Sequence, residues 1–368
     1  MDEGPQTRLA RSRSALGKYG ARASLGGACA TRSLLALLAA FLLLAPRLGA
    51  AQAPIATDRV ASATAQATRN AAGIATLPAV ATEQDIPHPL QVAPGVYVML
   101  GNGDAVAPCN HGIVANSGFL VGTSGVVVVD TGSSYRYGRA MIETIHRVTP
   151  LPIELVILTH QAPEFVFGAS AFRDAGIPIL AHRRTAELIR ERCSICLANL
   201  RRTLGEEEMS GSRVTVPDRT VDGTTRIEAG GRAIELLNFG VAATPGDLAV
   251  RDERTGVLFA GALVSIGRIP ELRNESIHGW IAALDRLGGL EITKVVPGFG
   301  PVVGLERIGA TGDYLRALDA SVRRAYASGR GLVSAREHAE TPDFRTWKLY
   351  STVHPQNVQR VYLELERQ

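Results

Sequence analysis

Apolar positions follow two different periods along the chain beyond residue 92. Short continuous or alternating apolar runs, typical of strands, occupy residues 95–100, 118–121, 126–130 and 154–158. Apolar residues at helical spacing predict an amphipathic helix over 135–148 and a long helix over about 184–204. Between these two helices, residues 172–181 predict the end of a helix followed by another strand.

The second half of the chain repeats this layout. Strands are predicted over 213–216, 225–228, 233–237, 247–251 and 257–260, with hairpin turns at Gly230-Gly231 and at 254–256. A helix over 279–287, a strand over 294–296 and helices over 310–328 and 344–366 complete the pattern. Each half has a β segment followed by βα units, which predicts an α/β (α+β) protein with αββα layers, two packed sheets with helices outside.

Residues 1–51 have the pattern of a secretory signal peptide. Basic residues are scattered through 1–32, the uncharged run SLLALLAAFLLLA follows at 33–45, and small residues at 49–53 offer cleavage sites. Thirteen residues are too few to span a bilayer comfortably. We therefore expect a periplasmic or secreted protein with no stable membrane insertion after signal removal. An uncleaved anchor and a wrongly assigned start are the alternatives.

Removal of this segment changes the charge balance. The whole chain has a net charge of +4, but residues 1–51 carry seven basic and two acidic residues, so the remainder has a net charge of −1. A near-neutral mature chain gives no basis for a nucleic-acid partner. Residues 52–90 predict an Ala-rich linker. A main domain over 91–305 and a C-terminal helical extension over 306–368 follow.

Five ordered blocks resemble the metallo-β-lactamase superfamily, most closely its quinoprotein relay system zinc metallohydrolases. They are GFLVGTSGVVVVDTGSS (118–134), LTHQAPEFVFGASAF (158–172), ATPGDLAVRDERTGVLFAGALV (243–264), VVPGFGP (295–301) and WKLYSTVHPQNVQRVYLELE (347–366). The resemblance implies a metallo-β-lactamase sandwich, zinc as the cofactor, and a zinc-activated water that attacks a carbonyl or ester.

The same resemblance implies seven metal-ligand positions, and this sequence departs from the family pattern at nearly all of them. The positions are His160, Ala162, Glu164, Phe165, Ala243, Ala262 and Phe299. Only His160 matches the family ligand and only Glu164 retains a carboxylate, one methylene longer than the family's Asp. Alanine and phenylalanine have no donor atom, so we expect no zinc, no other cofactor and no catalytic residue.

The residues around these positions are retained. They are Asp130, Thr159, Gly168, Thr244, Gly246, Asp247, Gly261, Pro297 and Gly298. Asp130 and Asp247 are expected to join loops by hydrogen bonds. The sequence therefore predicts an intact fold with an apolar pocket, a pseudoenzyme in a binding or accessory role. A small apolar ligand and a periplasmic quinoprotein are the partners that this hypothesis leaves open.

Two alternatives keep the protein closer to an enzyme. A hydrolase could use His160 and Glu164 with new groups, or the positions could have been altered from an active zinc hydrolase. Cys109 and His111 are the only other residues that we would add to His160 and Glu164 for a rearranged metal site or a Cys/His nucleophile. The simpler interpretation places Cys109 and His111 in a surface loop.

Several other residues that could carry chemistry have simpler structural interpretations. Cys193 and Cys196 form a CxxC motif inside a predicted helix, which favours a structural disulfide or two buried thiols over redox catalysis. His182 is interpreted as a helix cap or a packing residue, and Trp280 and His354 are interpreted as core residues.

Overall fold

Two β-sheets run through the part of the chain that the computed structural model describes, residues 86–273 and 276–367. The first sheet holds seven strands in chain order: β1 (Leu90–Ala93), β2 (Val96–Met99), β3 (Ser117–Val121), β4 (Val126–Val129), β5 (Ile153–Leu158), β6 (Ile179–His182) and β7 (Arg219–Val221). Strands β1 to β4 are antiparallel, and β4 to β7 are parallel. The predicted signal peptide and residues 52–85 of the predicted linker lie outside the described residues.

The second sheet holds five strands in the order β12-β11-β10-β9-β8. Their bounds are β8 (Thr225–Ala229), β9 (Arg232–Leu237), β10 (Ala249–Asp252), β11 (Val257–Ser265) and β12 (Lys294–Phe299). Only the β11–β12 pair is parallel among these described strands. The β8–β9 turn contains Gly230 and Gly231, both with positive φ, as the sequence pattern predicts.

Helices lie along the outer faces of the two sheets. They are α1 (Tyr135–Val148), α2 (Pro163–Val166), α3 (Ala169–Asp174), α4 (Arg183–Leu204), α5 (Ile277–Gly288), α6 (Gly309–Ala327), α7 (Leu332–His338) and α8 (Tyr350–Leu365). Ser134 caps α1 by accepting the backbone N–H of Tyr137 at 3.1 Å. His182 caps α4 through its Nδ1, which accepts the N–H of Arg184 at 3.1 Å, so the prediction of a capping role for His182 is confirmed.

Three apolar clusters correspond to the layers of an αββα sandwich. Val98, Val129 and Val250 belong to a cluster with residues from both sheets, which is the interior of the sandwich. A second cluster joins the first sheet to α1 and α4, and a third joins β11 and β12 to α5, α6 and α8. The predicted layer order is therefore confirmed. Trp280 is buried in the third cluster and its Nε1 donates to Leu263 O at 3.0 Å, as predicted for a core residue.

Two predicted elements are wrong in their bounds. Residues 213–216 form no strand; the ladder with β6 begins later, at Arg219, beyond Pro217. Proline has no N–H to donate to a ladder, which explains the delayed start. The predicted helix over 344–366 begins only at Tyr350, because Leu349 before it has a left-handed φ of 63°. His354 in this helix is buried against Tyr314, which confirms its packing role.

None of the helices in the described ranges is both long and apolar enough to cross a membrane.

Candidate functional site

The seven positions aligned with metal ligands lie on elements of both sheets. His160 follows the end of β5, and Ala162 precedes α2, the short helix that carries Glu164 and Phe165. In the second sheet, Ala243 precedes β10, Ala262 lies within β11, and Phe299 ends β12. Because β11 and β12 are parallel neighbours, Ala262 and Phe299 lie close to one end of that sheet.

All seven positions line one cavity of about 30 Å³. Its lining is His160, Ala162, Glu164, Phe165, Ala243, Thr244, Ala262, Ser265, Arg268, Pro270, Glu271, Arg273, Trp280 and Phe299. A volume of this size holds about two water molecules. The site is therefore much smaller than the clefts that bury drug-sized ligands, which are several hundred cubic ångströms.

Both ring nitrogens of His160 are committed to protein contacts. Nδ1 accepts the backbone N–H of Ala162 at 2.9 Å, and Nε2 lies 3.6 Å from Oδ1 of Asp247. An accepting Nδ1 places the proton of a neutral imidazole on Nε2. Burial, followed by the positive charge of Arg273, lowers the pKa of His160 to about 3. His160 is therefore a neutral, buried imidazole without a free lone pair facing the cavity.

Aromatic rings fill much of the space between the two sheets at this site. Phe165 is 1 % exposed, and its ring lies edge-on to both His160 and Phe299, with centroid distances of 5.6 and 5.5 Å. The edge-to-face arrangement is a favourable aromatic geometry. Two of the seven aligned ligand positions are thus occupied by the packed rings of Phe165 and Phe299.

Three charged residues of the cavity lining were not predicted from the sequence. Arg268, Glu271 and Arg273 come from the segment that follows β11. Nη2 of Arg268 donates to Glu271 Oε1 at 3.1 Å, and Nη2 of Arg273 donates to Glu271 Oε2 at 2.8 Å. The expectation of an apolar pocket is thus wrong in part, because charged groups accompany the alanine and phenylalanine walls. The Arg-x-x-Glu-x-Arg pattern at 268–273 is the signal that could have pointed to them.

Arg268 also packs against one of the substituted ligand positions. Its guanidinium carbon lies 3.8 Å from the centroid of the Phe299 ring, a cation–π contact. The residue is 5 % exposed. A buried arginine therefore lies directly beside a position that would otherwise carry a metal ligand.

Glu164 lies in an electrostatically strained environment. It is buried, and burial, followed by the negative charge of Glu271, raises its pKa, while Arg273 and Arg268 oppose that shift. The two arginines hold the pKa of Glu271 below its usual range against the effect of burial. The two carboxyl groups of the site therefore have different preferred protonation states.

The sequence matches the metallo-beta-lactamase superfamily over residues 112–298, about half of the chain. This span includes six of the seven aligned ligand positions, all but Phe299, and the five strands of the second sheet except for the last residue of β12. The chain belongs to the metallo-beta-lactamase superfamily. A curated relative, the metallo-beta-lactamase type 2 of Bacillus sp. (strain 170), is 26 % identical over 231 residues, which cover 61 % of this chain and 77 % of the relative.

Solved structures of this superfamily share the fold. The metallo-beta-lactamase from Pontibacter korlensis aligns with a TM-score of 0.51 at 21 % identity, over 62 % of this chain and 98 % of that one. The stereoselective inverting sec-alkylsulfatase Pisa1 from Pseudomonas sp. aligns with a TM-score of 0.58 at 18 % identity, over 76 % of this chain and 50 % of that one. At these identities the likeness concerns the fold alone.

The donor set at the superfamily's ligand positions does not fit zinc. A catalytic zinc takes three protein ligands, with nitrogen or oxygen donors about 2.0–2.2 Å from the ion. Five of the seven positions are alanine or phenylalanine, and both nitrogens of His160 are engaged elsewhere. Within residues 86–273 and 276–367, no group of three or more His, Cys, Asp or Glu side chains could hold a metal ion. Glu164 remains as a single carboxylate.

The superfamily scaffold around the cavity is held by two buried aspartates. Asp130 accepts the backbone N–H of Thr159 at 2.8 Å and its hydroxyl at 2.7 Å, so it joins the ends of β4 and β5. Asp247 accepts the backbone N–H and the hydroxyl of Thr244, both at 2.6 Å. The expectation that Asp130 joins loops is confirmed, whereas the two hydrogen bonds from Thr244 to Asp247 lie within a single loop.

Two retained glycines permit the backbone to pass close to neighbouring groups. Gly261 has a φ of 53°, and a Cβ there would lie 2.4 Å from the hydroxyl oxygen of Thr159. A Cβ on Gly298 would lie 2.5 Å from Gly261 O. A side chain at Gly261 would push β11 away from the end of β5, and a side chain at Gly298 would push β12 away from β11, which explains why glycine is needed at both positions.

The remaining retained positions also support the backbone around the site. A Cβ on Gly168 would lie 1.9 Å from Thr131 O, and Gly246 O accepts the hydroxyl of Thr185 at 2.6 Å. The carbonyl of Pro297 accepts the side-chain amide of Asn116 at 2.8 Å.

The cysteine and histidine alternatives do not assemble with the cavity. Nδ1 of His111 lies 2.9 Å from Glu208 Oε2, and neither His111 nor Cys109 lines the cavity. Cys193 and Cys196 are free thiols. Of the two structural interpretations of the CxxC motif, the pair of thiols is therefore present and the disulfide is not. Cys193 is fully buried, whereas Cys196 is only partly so.

Proposed function

We propose that this chain is an exported member of the metallo-beta-lactamase superfamily that has lost zinc-hydroxide chemistry and acts by binding. The observation that carries this proposal is the single small cavity at which all seven aligned ligand positions meet. Five of them hold side chains without donor atoms. The protein then has an accessory role, with periplasmic quinoproteins as its partners.

The geometry of the two remaining donors supports the loss of zinc. His160 would have to give up the hydrogen bond from Ala162 or the proton on Nε2 before it could ligate an ion. Glu164 would remain the only other donor among the seven positions. Since loss of outer-shell support alone typically weakens metal affinity about 10–100-fold, loss of most ligands predicts no zinc at physiological concentrations.

Two features of the sequence support the location and the partner. The basic segment, apolar run and small residues within 1–53 support export. The block at 347–366 contributes to the resemblance to quinoprotein relay hydrolases. Cell fractionation with N-terminal sequencing tests the export proposal. A mature chain beginning near residue 52 in the periplasmic or secreted fraction is the expected result, and a full-length cytosolic chain would contradict it.

Metal analysis of the purified protein tests the loss of zinc. We expect substoichiometric zinc after incubation with zinc and removal of the excess. The matched comparison restores the family ligands with the substitutions Ala162→His, Glu164→Asp, Phe165→His, Ala243→His, Ala262→Asp and Phe299→His, and we expect this variant to bind zinc. One or more tightly held zinc ions per unmodified chain would overturn the proposal. A restored variant without zinc would mean that the backbone of the site has also changed.

A zinc-free hydrolase is the second candidate. Two buried titratable residues with shifted pKa values, His160 and Glu164, line one cavity, a combination typical of catalytic sites. Assays against β-lactam, thioester, carboxylic ester and alkyl sulfate substrates test this candidate. Activity that His160→Ala abolishes and His111→Ala leaves unchanged would support it. An inert protein across the panel would eliminate it for these substrate classes.

A further inference from the structure

The two thiols of the CxxC motif have different surroundings, a difference that the sequence does not reveal. Cys193 is fully buried in α4, and its Sγ donates to Gln161 O at 3.6 Å. Cys196 follows three residues later in the same helix and is partly exposed. Residues three apart are neighbours on one face of an α-helix. A buried thiol and a partly exposed thiol therefore lie side by side.

The two sulfur atoms also contact each other. The hydrogen bond from Cys193 lowers the pKa of Cys196 to about 7 against the effect of burial, and the positive charge of Arg273 acts in the same direction. The same hydrogen bond, followed by burial, raises the pKa of Cys193. The thiolate is the reactive form of cysteine. Cys196 is therefore the nucleophile of the pair, and Cys193 is the partner that keeps its proton.

The pair lies beside the emptied centre but outside its cavity. Gln161, whose carbonyl accepts from Cys193, stands between two of the aligned ligand positions. Neither cysteine is part of the lining of the cavity of about 30 Å³. Ser194 and Ile195, in the same turn of α4, are both exposed. A reagent therefore reaches Cys196 from the surface of α4 and does not have to enter the cavity.

The geometry of an α-helix allows these two residues to be bridged, but only with strain. Three residues rise about 4.5 Å along the axis, which places the two Cα atoms about 5 Å apart, within the range of about 4.4–6.8 Å that disulfides span. The Cβ atoms are about 5–6 Å apart in a regular helix and must come within about 3.5–4.5 Å, so one helical turn has to tighten. Strained disulfides are more easily reduced, and such labile bonds are typical of regulatory or catalytic thiols.

We propose that Cys193 and Cys196 form a redox-active dithiol whose substrate is a low-molecular-weight disulfide. A small disulfide suits this site because Cys196 is only partly exposed, whereas the disulfide of a folded protein would need a protruding thiol. None of the seven aligned positions takes part, so the outcome does not depend on zinc content.

The reaction is a thiol–disulfide exchange in two steps. The Cys196 thiolate attacks one sulfur of the disulfide RS–SR, the S–S bond breaks, and one RS⁻ leaves. Cys193 then attacks Sγ of Cys196 in the mixed disulfide, the bond from Cys196 to SR breaks, and the second RS⁻ takes up the Cys193 proton. The dithiol thus loses two electrons and two protons and becomes an intrahelical disulfide, while RS–SR becomes two RSH.

Reaction of the purified full-length protein with oxidised glutathione tests the proposal. Trypsin releases both cysteines in one peptide, residues 193–201, so mass spectrometry distinguishes the dithiol, the glutathione adduct and the intramolecular disulfide. We expect the unmodified protein to end as the disulfide, and an excess of reduced glutathione to regenerate the dithiol.

Three variants assign the two roles. Cys193→Ala should stop at a glutathione adduct on Cys196, because no second thiol resolves it. Cys196→Ala should lose the reaction, because the remaining thiol of Cys193 is buried. Ser194→Ala changes an exposed residue between the two cysteines; it is the control and should react like the unmodified protein.

Three results would overturn the proposal. The first is a peptide that keeps both thiols after exposure of the unmodified protein to oxidised glutathione. The second is adduct formation on Cys193 in Cys196→Ala as fast as on Cys196 in Cys193→Ala. The third is a disulfide between two chains through Cys196, because Cys193 would then not resolve the mixed disulfide. If a variant does not fold, the product formed by the unmodified protein and its reversal by reduced glutathione still decide.

Discussion

Replacing Phe299 by alanine should strongly destabilise the protein. The residue is 5 % exposed, and its ring contacts both Phe165 and the Arg268 guanidinium. Truncation of a buried phenylalanine to alanine costs about 3–5 kcal/mol through lost burial and the cavity left behind. The cation–π contact adds about 0.5–2 kcal/mol. This is a large part of the roughly 5–15 kcal/mol by which typical proteins are stable.

Phe299→Leu separates the two contributions. Leucine retains most of the apolar volume but removes the ring face, so this variant should lose much less stability than Phe299→Ala. Urea denaturation followed by tryptophan fluorescence is a suitable assay, because Trp280 lines the same cavity. A double-mutant cycle of Phe299→Leu with Arg268→Met should then show a coupling of about 0.5–2 kcal/mol.

Two results would refute this reasoning. A loss below about 1 kcal/mol for Phe299→Ala would mean that the ring does not fill the space between the sheets. A coupling energy near zero would mean that the guanidinium gains nothing from the ring.

Three further predictions concern groups away from the aligned ligand positions. Arg232→Met should cost about 3–5 kcal/mol of unfolding free energy by urea denaturation, because it leaves the Asp252 carboxylate, at 0 % side-chain exposure, without its cationic partner. An unchanged denaturation midpoint would contradict this prediction. Burial raises the pKa of Asp130 from 3.8 to about 7, although hydrogen bonds from Thr159 oppose the shift. The folded state therefore holds a proton that the unfolded state releases, and the free energy of unfolding should fall by about 4 kcal/mol as the pH rises from about 4 to 7. Asp130→Asn should flatten this dependence of stability on pH. A pH dependence that this variant leaves unchanged would contradict the prediction. A hydrogen bond from Cys193 lowers the pKa of Cys196 to about 7. The rate at which iodoacetamide modifies Cys196 should therefore rise with a midpoint near pH 7, and Cys193→Ala should move that midpoint to higher pH. An unmoved midpoint would disprove the role of Cys193.

Most of the fold could be predicted from the order of the elements. The helix over 135–148 has the predicted bounds, and the predicted two-sheet layering is present, because apolar period depends only on residue type along a short segment. The strand predicted at 213–216 failed because the pairing partner, β6, meets the chain only beyond Pro217. The break before Tyr350 follows from the left-handed backbone at Leu349, which no apolar pattern reveals.

The substitutions at the aligned ligand positions were visible in the amino-acid sequence, since the presence or absence of a donor atom is a property of each residue. The charged residues that line the cavity could not be identified from the amino-acid sequence in the same way. Arg268 reaches the site because its segment is bound to distant parts of the chain: Ile266 N–H donates to Phe299 O at 2.9 Å, and Lys348 N–H donates to Gly267 O at 2.9 Å. Residue identity therefore specified which donors were missing, whereas long-range backbone contacts brought a buried guanidinium to the emptied centre.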